Sequence, residues 1–135
     1  MRHFLILIFN IVITLNLSAQ DANVGFVRSD FINCWKHSYE EETVNSEYKI
    51  YRPCGYKEFP ASRYRRFFDF KANGNCSWFV LAPNDAHYKV DGEWEFHKER
   101  NIIEVKNSDA KIIFTIEVHK LQEDLLKIRY LSSKN

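Results

Sequence analysis

The chain has 135 residues, with 19 Lys and Arg against 18 Asp and Glu, a formal net charge of +1 and 45% hydrophobic residues. This balance argues against a nucleic acid or an anionic membrane surface as the partner, because both attract strongly basic chains. The length indicates one domain, and an aromatic content of 16% is enough for a dense core.

The first 19 residues have the pattern of a secretory signal peptide. Arg2 supplies a positive charge, the run from Phe4 to Leu15 is mostly apolar, and Leu17-Ser18-Ala19 is a small-residue cleavage site. The apolar run is shorter than the ~20 residues that a membrane span needs. We therefore expect cleavage after Ala19, a secreted or periplasmic protein, and no membrane insertion.

Residues 31–135 are predicted to form one β domain after a loose N-terminal arm at residues 20–30. The clearest strand, 87–97, alternates apolar and charged side chains with a period of two, which indicates one buried and one solvated face. Asn73-Gly74 is the strongest hairpin signal, because both positions of a tight turn require positive φ. Eight strands are predicted, at residues 31–41, 48–53, 63–71, 76–82, 87–97, 102–106, 111–120 and 125–131.

Hairpin-length links between these strands predict how the sheet closes. Eight antiparallel strands can form an up-and-down barrel, which removes the exposed edges of an open sheet. A two-sheet sandwich is the alternative, but uniform neighbour-to-neighbour links favour the barrel. This order places the first, third, fifth and seventh links at one end, and the other links at the opposite end with the N-terminus and Trp35.

Strand order, Trp35 in the first strand and Arg129 in the last carry a resemblance to small secreted lipocalin-like (calycin) barrels. In that family the tryptophan of a Gly-x-Trp motif plugs the barrel base, and an arginine from the last strand packs over it. Here the motif reads Asn33-Cys34-Trp35, so the glycine is missing. The resemblance implies a fold and a plugged base, and it attaches no activity to the chain.

Binding of a small apolar or amphipathic molecule is the first functional hypothesis. The candidate ligand-binding residues are six inward-facing residues and the arginine that the resemblance implies: Trp35, His37, Tyr39, Tyr88, Trp94, Phe96 and Arg129. The alternative is that such residues fill the core, because an eight-stranded barrel is just wide enough for side chains. The protein would then act through its surface, as an inhibitor or protein-binding module. A monomer is expected under either hypothesis.

A second candidate group gathers, in the predicted order, near the end of the barrel that holds Trp35: Arg52, Arg63, Arg65, Asp85 and His87. Arginine presents a planar donor fork that could hold a carboxylate or phosphate. The alternative is a lid of ion pairs that ties the loops down.

Neither metal nor catalytic chemistry has a specific motif in this chain. The histidines show no metal-ligand spacing. Ser38, His87 and Asp85 have no nucleophile elbow or oxyanion loop behind them. We therefore expect a protein that is not an enzyme and that uses no metal and no cofactor.

Three cysteines, Cys34, Cys54 and Cys76, remain after the signal. A first turn centred near residues 44 and 45 pairs positions whose numbers sum to about 88–90, which brings Cys34 beside Cys54. The same register sets Lys36 opposite Arg52, an unfavourable like-charge contact. Cys76 is expected at the far end of the barrel, beyond the roughly 7 Å that a disulfide spans. The prediction is a Cys34–Cys54 disulfide and a free Cys76.

Overall fold

The computed structural model describes residues 25–131, so the predicted signal peptide at 1–19, the first part of the arm and the last four residues lie outside the described chain. Eight strands form one closed antiparallel barrel, which confirms the predicted fold class. No helix in the described range is long and apolar enough to cross a membrane. The strands are β1 (Cys34–His37), β2 (Tyr48–Pro53), β3 (Phe67–Phe70), β4 (Asn75–Leu81), β5 (His87–His97), β6 (Ile102–Lys106), β7 (Ile112–Gln122) and β8 (Leu125–Leu131).

The predicted bounds hold for β2, β5, β6 and β8. β1 is shorter than the predicted 31–41 because single-turn 3₁₀ helices, Arg28–Phe31 and Tyr39–Glu41, flank it. A third such turn, Lys98–Arg100, joins β5 to β6, and Asn101 ends it with a positive φ of 52°. Asparagine tolerates that left-handed conformation better than most residues.

The strand order is up-and-down, and β3 to β8 follow one another in chain order. The first two strands depart from this order. β1 lies between β2 and β3, and β2 pairs with β8, which closes the barrel. Because β2 and β3 are both antiparallel to β1, they run in the same direction. Residues 54–66 must therefore travel the length of the barrel outside β1, and we call this segment the crossover.

The crossover reverses the predicted distribution of links over the two ends. Cys34 lies beside Asp69, so the β3–β4 turn shares an end with the start of β1. The predicted placement of the β3–β4, β5–β6 and β7–β8 turns away from that end is wrong, because it treated the β2–β3 link as a hairpin. We call the end with Cys34 and these three turns the sealed end. The opposite end, with the β1–β2 link and the β4–β5 and β6–β7 turns, is the mouth.

Apolar side chains from all eight strands meet inside the barrel. The buried cluster consists of Phe31, Trp35, Tyr51, Phe68, Phe70, Cys76, Trp78, Trp94, Ile103, Val105, Ile116, Val118, Leu126 and Ile128. The larger depressions of the described chain, about 260 to 890 Å³ in volume, open to solvent on the outer face or at the rim. None of these depressions is lined mainly by the buried cluster, which favours the alternative of a barrel whose core is filled by its own side chains.

The Cys34–Cys54 disulfide forms as predicted, with a Cα–Cα distance of 5.4 Å, and Cys76 is a free, buried cysteine. The predicted reason for the free thiol is wrong, because Cys76 lies opposite Phe70 and hence at the sealed end. Cys76 points inward while Cys34 faces outward, and β3 lies between their strands. The disulfide is consistent with an extracellular or periplasmic location.

The predicted register also places Lys36 opposite Arg52. The two cations are held apart by different partners. Arg52 donates to both carboxylate oxygens of Glu41, at 3.0 and 2.8 Å, whereas the Lys36 ammonium lies 5.1 Å from the ring centroid of Phe59 in the crossover. Each charge therefore has a local partner that offsets the repulsion.

Candidate anion site at the barrel mouth

The seven predicted ligand-binding residues do not converge on one pocket. Three of them belong to the packed interior. Trp35 and Trp94 donate their indole N–H groups to the backbone oxygens of Phe31 and Lys71, at 3.0 and 2.9 Å. Phe96 packs on Phe31 with ring centroids 4.7 Å apart. These rings pack at the sealed end of the barrel. The position of Trp35 there agrees with the base plug that the lipocalin-like resemblance implies.

Tyr88 and Arg129 do not lie where the sequence predicted. Tyr88 is on the inner face of β5 by parity, but it lies beyond the core at the start of the strand and is 53% exposed. Arg129 points outward, because its neighbours Ile128 and Tyr130 take the inward positions of β8. It binds Glu117 on the outer surface, with a shortest distance of 2.6 Å, and does not cover Trp35.

The second predicted group is only partly brought together. Arg63, Arg65 and His87 line a shallow depression of about 260 Å³ near the mouth. Arg52 lies elsewhere on β2, and Asp85 sits in the β4–β5 turn with a positive φ of 61°. The group is therefore not a single anion site.

Ion pairs hold the crossover against β1, as the alternative interpretation of that group proposed. Arg65 donates to Glu40 at 2.9 Å and to the backbone oxygen of Pro60 at 2.8 Å. The buried hydroxyl of Ser38 donates to Glu41 at 2.6 Å and accepts from Lys57 at 2.7 Å. Although desolvation would raise the pKa of Glu40, the hydrogen bonds that it accepts from Arg65 and Lys57 hold it at about 2.

Arg66 is the cation that the sequence interpretation missed. It precedes β3, and its backbone oxygen accepts from the backbone N–H of His37 at 2.9 Å. Phe68 and Phe70 point into the core, so alternation directs Arg66 inward as well. Its guanidinium lies over the rings of Phe114 and Tyr130, at 5.3 and 5.0 Å from their centroids.

Within residues 25–131 no carboxylate lies within ion-pair distance of Arg66; the salt bridges of this range involve other cations. Its Nε is buried and has no hydrogen-bond partner. Although burial would lower it, nearby tyrosine hydroxyls raise the pKa of Arg66, so the group stays charged. A half-buried cation without a counter-ion is costly, since desolvation of the charge is not compensated.

The hydroxyls around Arg66 are neutral acceptors and not counter-ions. Tyr51 and Tyr130 share a hydrogen bond of 2.6 Å between their hydroxyl oxygens. Burial raises the pKa of both groups, and that of Tyr51 rises well above the ordinary value of 10.0. Neither phenol therefore supplies a negative charge to Arg66 near neutral pH.

His37 continues this polar layer on the far side of Tyr51. Its ring stacks on that of Tyr51 with centroids 5.0 Å apart, and Nε2 donates to Glu42 at 2.6 Å. Burial lowers the pKa of His37 and outweighs the hydrogen bond that its ring donates to Glu42, which raises the pKa. Glu42 also accepts from Lys49 and from the backbone N–H of Ile50, so its charge is already shared.

A depression of about 280 Å³ opens beside Arg66 at the mouth. Ile112 and Ile113, which are 46% and 40% exposed, form its apolar rim with Leu131. Phe114, Thr115 and Tyr130 complete the lining. The site therefore combines one cation with an exposed apolar surface, which is the chemistry that an amphipathic anion requires.

Parity is the sequence signal that could have found this site. Residues 66, 68 and 70 share one face of the sheet. Residues 35, 37 and 51 also share a face, because the β1–β2 register pairs residues whose numbers sum to 88, such as His37 and Tyr51. Of the predicted ligand residues, only His37 belongs to the polar layer at the mouth, while Tyr39 packs against it from an exposed position at 5.6 Å.

A further depression of about 890 Å³ lies on the outer face, between the β3–β4 turn and the β6–β7 turn. Cys76, Asp91, Gly92 and Glu93 are among its lining residues. Burial raises the pKa of the Cys76 thiol to about 12, so it is not a nucleophile near neutral pH. Together with the acidic lining, this argues against both thiol chemistry and anion binding there.

No protein family, curated protein or solved structure shows a significant match to this chain.

Proposed function

We propose that the protein is a secreted lipocalin-like barrel that binds a small amphipathic anion at its mouth. One observation carries the proposal: within residues 25–131, Arg66 is a half-buried cation with an unpartnered Nε and no carboxylate within ion-pair distance. A carboxylate or phosphate of a ligand would supply both missing interactions. The guanidinium fork matches such groups in two parallel hydrogen bonds.

The packed interior limits how the ligand sits. Phe68, Phe70, Trp78 and Ile116 occupy the volume below the mouth, so an acyl or alkyl chain cannot descend along the barrel axis. The apolar part would instead lie on Ile112 and Ile113 at the rim. A depression of about 280 Å³ suits a molecule of roughly ten non-hydrogen atoms, at the low end of ligand-pocket volumes.

Octanoate is a suitable probe, with octanol and octyltrimethylammonium as chain-matched controls that lack the negative charge. Titration of the ¹⁵N-labelled protein with octanoate is expected to shift the amide signals of residues near 66, 112–114 and 130. A dissociation constant of about 0.1–1 mM corresponds to the binding energy of a ligand of this size. Equal shifts with octanol would mean that apolar contact alone, and not Arg66, selects the ligand.

Arg66→Met tests the cation directly. Loss of a charged hydrogen-bonding partner is expected to weaken octanoate binding about 10- to 100-fold. Arg129→Met is the matched control, since Arg129 is paired with Glu117 on the outer surface and should leave binding unchanged. Undiminished binding by the Arg66 variant would refute the proposed site.

A second function, as an inhibitor or protein-binding module that acts through the barrel surface, is favoured by the filled interior. Protein purified from its natural source and extracted with organic solvent separates the two. An amphipathic anion recovered in near-stoichiometric amount supports the mouth site. A stoichiometric protein partner with no recovered small molecule supports the second function.

Secretion and a non-enzymatic role belong to the same proposal. Two groups that could act as nucleophiles are engaged or buried: the Ser38 hydroxyl is held between Glu41 and Lys57, and Cys76 lies in the core. Cleavage after Ala19 would leave Gln20 as the first residue of the mature chain. N-terminal sequencing of the exported protein checks this, and an uncleaved N-terminus would contradict it.

A further inference from the structure

Three side chains on the outer faces of β5 and β6 bring metal-ligating atoms together. Glu95 and Glu104 are direct partners across the two strands, and His97 lies two residues beyond Glu95 on the same face. His97 Nε2 is 3.0 Å from Glu104 Oε2 and 4.0 Å from Glu95 Oε2. One donor atom from each side chain lies within 4.8 Å of the other two.

Hydrogen bonds and ion pairs within this cluster do not satisfy all of its charged and polar atoms. Two carboxylates directly opposite each other on a sheet repel. The Nε2 of His97 is buried and has no hydrogen-bond partner, so the carboxylate oxygen at 3.0 Å lies off the direction along which a ring N–H would donate. Lys106 supplies one positive charge, at 3.4 Å from Glu95 and 4.0 Å from Glu104.

We propose that Glu95, His97 and Glu104 bind Zn²⁺. Imidazole and carboxylate are the ligands that this ion combines, at bond lengths of about 2.0–2.2 Å in tetrahedral geometry. Donor atoms that share a tetrahedral ion lie roughly 3–3.5 Å apart, and the ion itself occupies the lone-pair axis of the ring nitrogen. An oxygen close to Nε2 but beside that axis is the arrangement such a site requires.

The surroundings allow a fourth ligand. Glu95 is 57% exposed at its side chain, so it can rotate toward the ion, and a water can complete the coordination from the solvent side. Charged groups next to the cluster on this outer face include Glu93 on β5, Lys106 on β6 and Glu117 on β7. Glu117 is already paired with Arg129, so Lys106 is the cation that competes with the metal.

Isothermal titration of the mature protein with ZnCl₂ in a non-chelating buffer tests the site. One ion per chain is expected to bind with a dissociation constant in the range of about 1–100 µM. His97→Ala should weaken binding at least about tenfold, because it removes the only nitrogen ligand. His119→Ala is the control, since it removes an exposed histidine that stacks on Tyr48 away from the cluster.

Lys106→Met should change affinity in the opposite direction. Removal of a like charge beside the ion is expected to tighten Zn²⁺ binding by at least about threefold. Unchanged or weaker binding in this variant would contradict the proposed position of the metal. The site is also refuted if His97→Ala binds as the wild type does, or if the wild type binds no zinc at 1 mM, a concentration of about ten times the upper limit expected.

Discussion

The two ends of the barrel are built from the same strands but differ in whether the polar atoms in their interior are hydrogen-bonded. At the sealed end, the indole N–H groups of Trp35 and Trp94 both reach backbone oxygens, and the Cys34–Cys54 disulfide ties β1 to β2. At the mouth, Arg66 has, among the described residues, neither a hydrogen-bond partner for its buried Nε nor a counter-ion for its charge. Interior polar groups that are hydrogen-bonded contribute stability, whereas an unsatisfied interior charge bears a cost that ligand binding would offset.

Trp78 shows that an unpartnered atom alone does not define a site. Its indole nitrogen is also buried without a partner, in the core below the mouth. The indole is neutral, so its desolvation costs less than that of a guanidinium. The mouth is distinguished by the charge, the open depression and the apolar rim acting together.

The largest expected effect is at the sealed end. Trp35→Ala should lower the free energy of unfolding by about 3–5 kcal/mol, because a buried tryptophan leaves a cavity when truncated. Urea denaturation followed by far-UV circular dichroism measures this, with Trp35→Phe as the smaller-cavity control. An unchanged denaturation midpoint would show that the plug does not stabilise the barrel.

Loss of the disulfide at the sealed end should lower stability without changing ligand affinity at the mouth. The bond closes a loop with a sequence separation of 20 residues, and the Cys34→Ser, Cys54→Ser double variant is expected to lose about 2–4 kcal/mol of stability. Octanoate affinity at 10 °C, where the variant remains folded, should match that of the wild type. A loss of affinity would mean that the two ends are coupled and would break the comparison.

As the pH falls, the stability contributed by His37 at the mouth should be lost before that contributed by the carboxylates that hold the crossover. The folded-state pKa of His37 lies below the ordinary value of 6.5, so the unfolded chain binds more protons near that pH. The contribution of His37 to stability is therefore full above pH 6.5 and is lost as the pH falls toward the folded-state pKa. The carboxylates of Glu40 and Glu41, with pKa values of about 2, lose their contribution only below about pH 4.5.

Denaturation series between pH 7.5 and about pH 5.5 check this order, because that window lies above the ordinary carboxyl pKa. The wild type should lose stability across the window, and His37→Asn should show a smaller slope. An identical slope in the variant would assign the effect to another group.

The smallest expected effect on stability is at Arg66. Arg66→Met replaces an unpaired, half-buried charge with an apolar chain of similar length, so stability should change by less than about 1 kcal/mol, in the stabilising direction. The same variant should lose octanoate binding. A loss of 2 kcal/mol or more, well outside the range expected for such a replacement, would show that Arg66 is structural and that the two ends do not differ as described.

Strand positions could be predicted well where the signal is local. The alternation in 87–97 gave the bounds of β5, and the turn near residues 44 and 45 gave the register that pairs Cys34 with Cys54. The inward direction of Arg66 was also available from the parity of 66, 68 and 70. Its lack of a counter-ion was not, because that depends on which strands stand beside β3.

The pattern of apolar alternation and turn residues determined the class of this protein, its strands and its disulfide, since each depends on residues close in sequence or on one hairpin register. Only the tertiary structure decided that residues 54–66 cross outside β1. This path depends on whether β2 pairs with β8 or with β3. The length of the link at residues 54–66 allows either pairing, so it does not predict which one forms. The same choice moved Cys76 to the sealed end and set the ring of Tyr130 beside Arg66. The barrel itself was predictable from local chemistry, but the candidate site at its mouth was predictable only in part, because strand order decides which distant side chains meet.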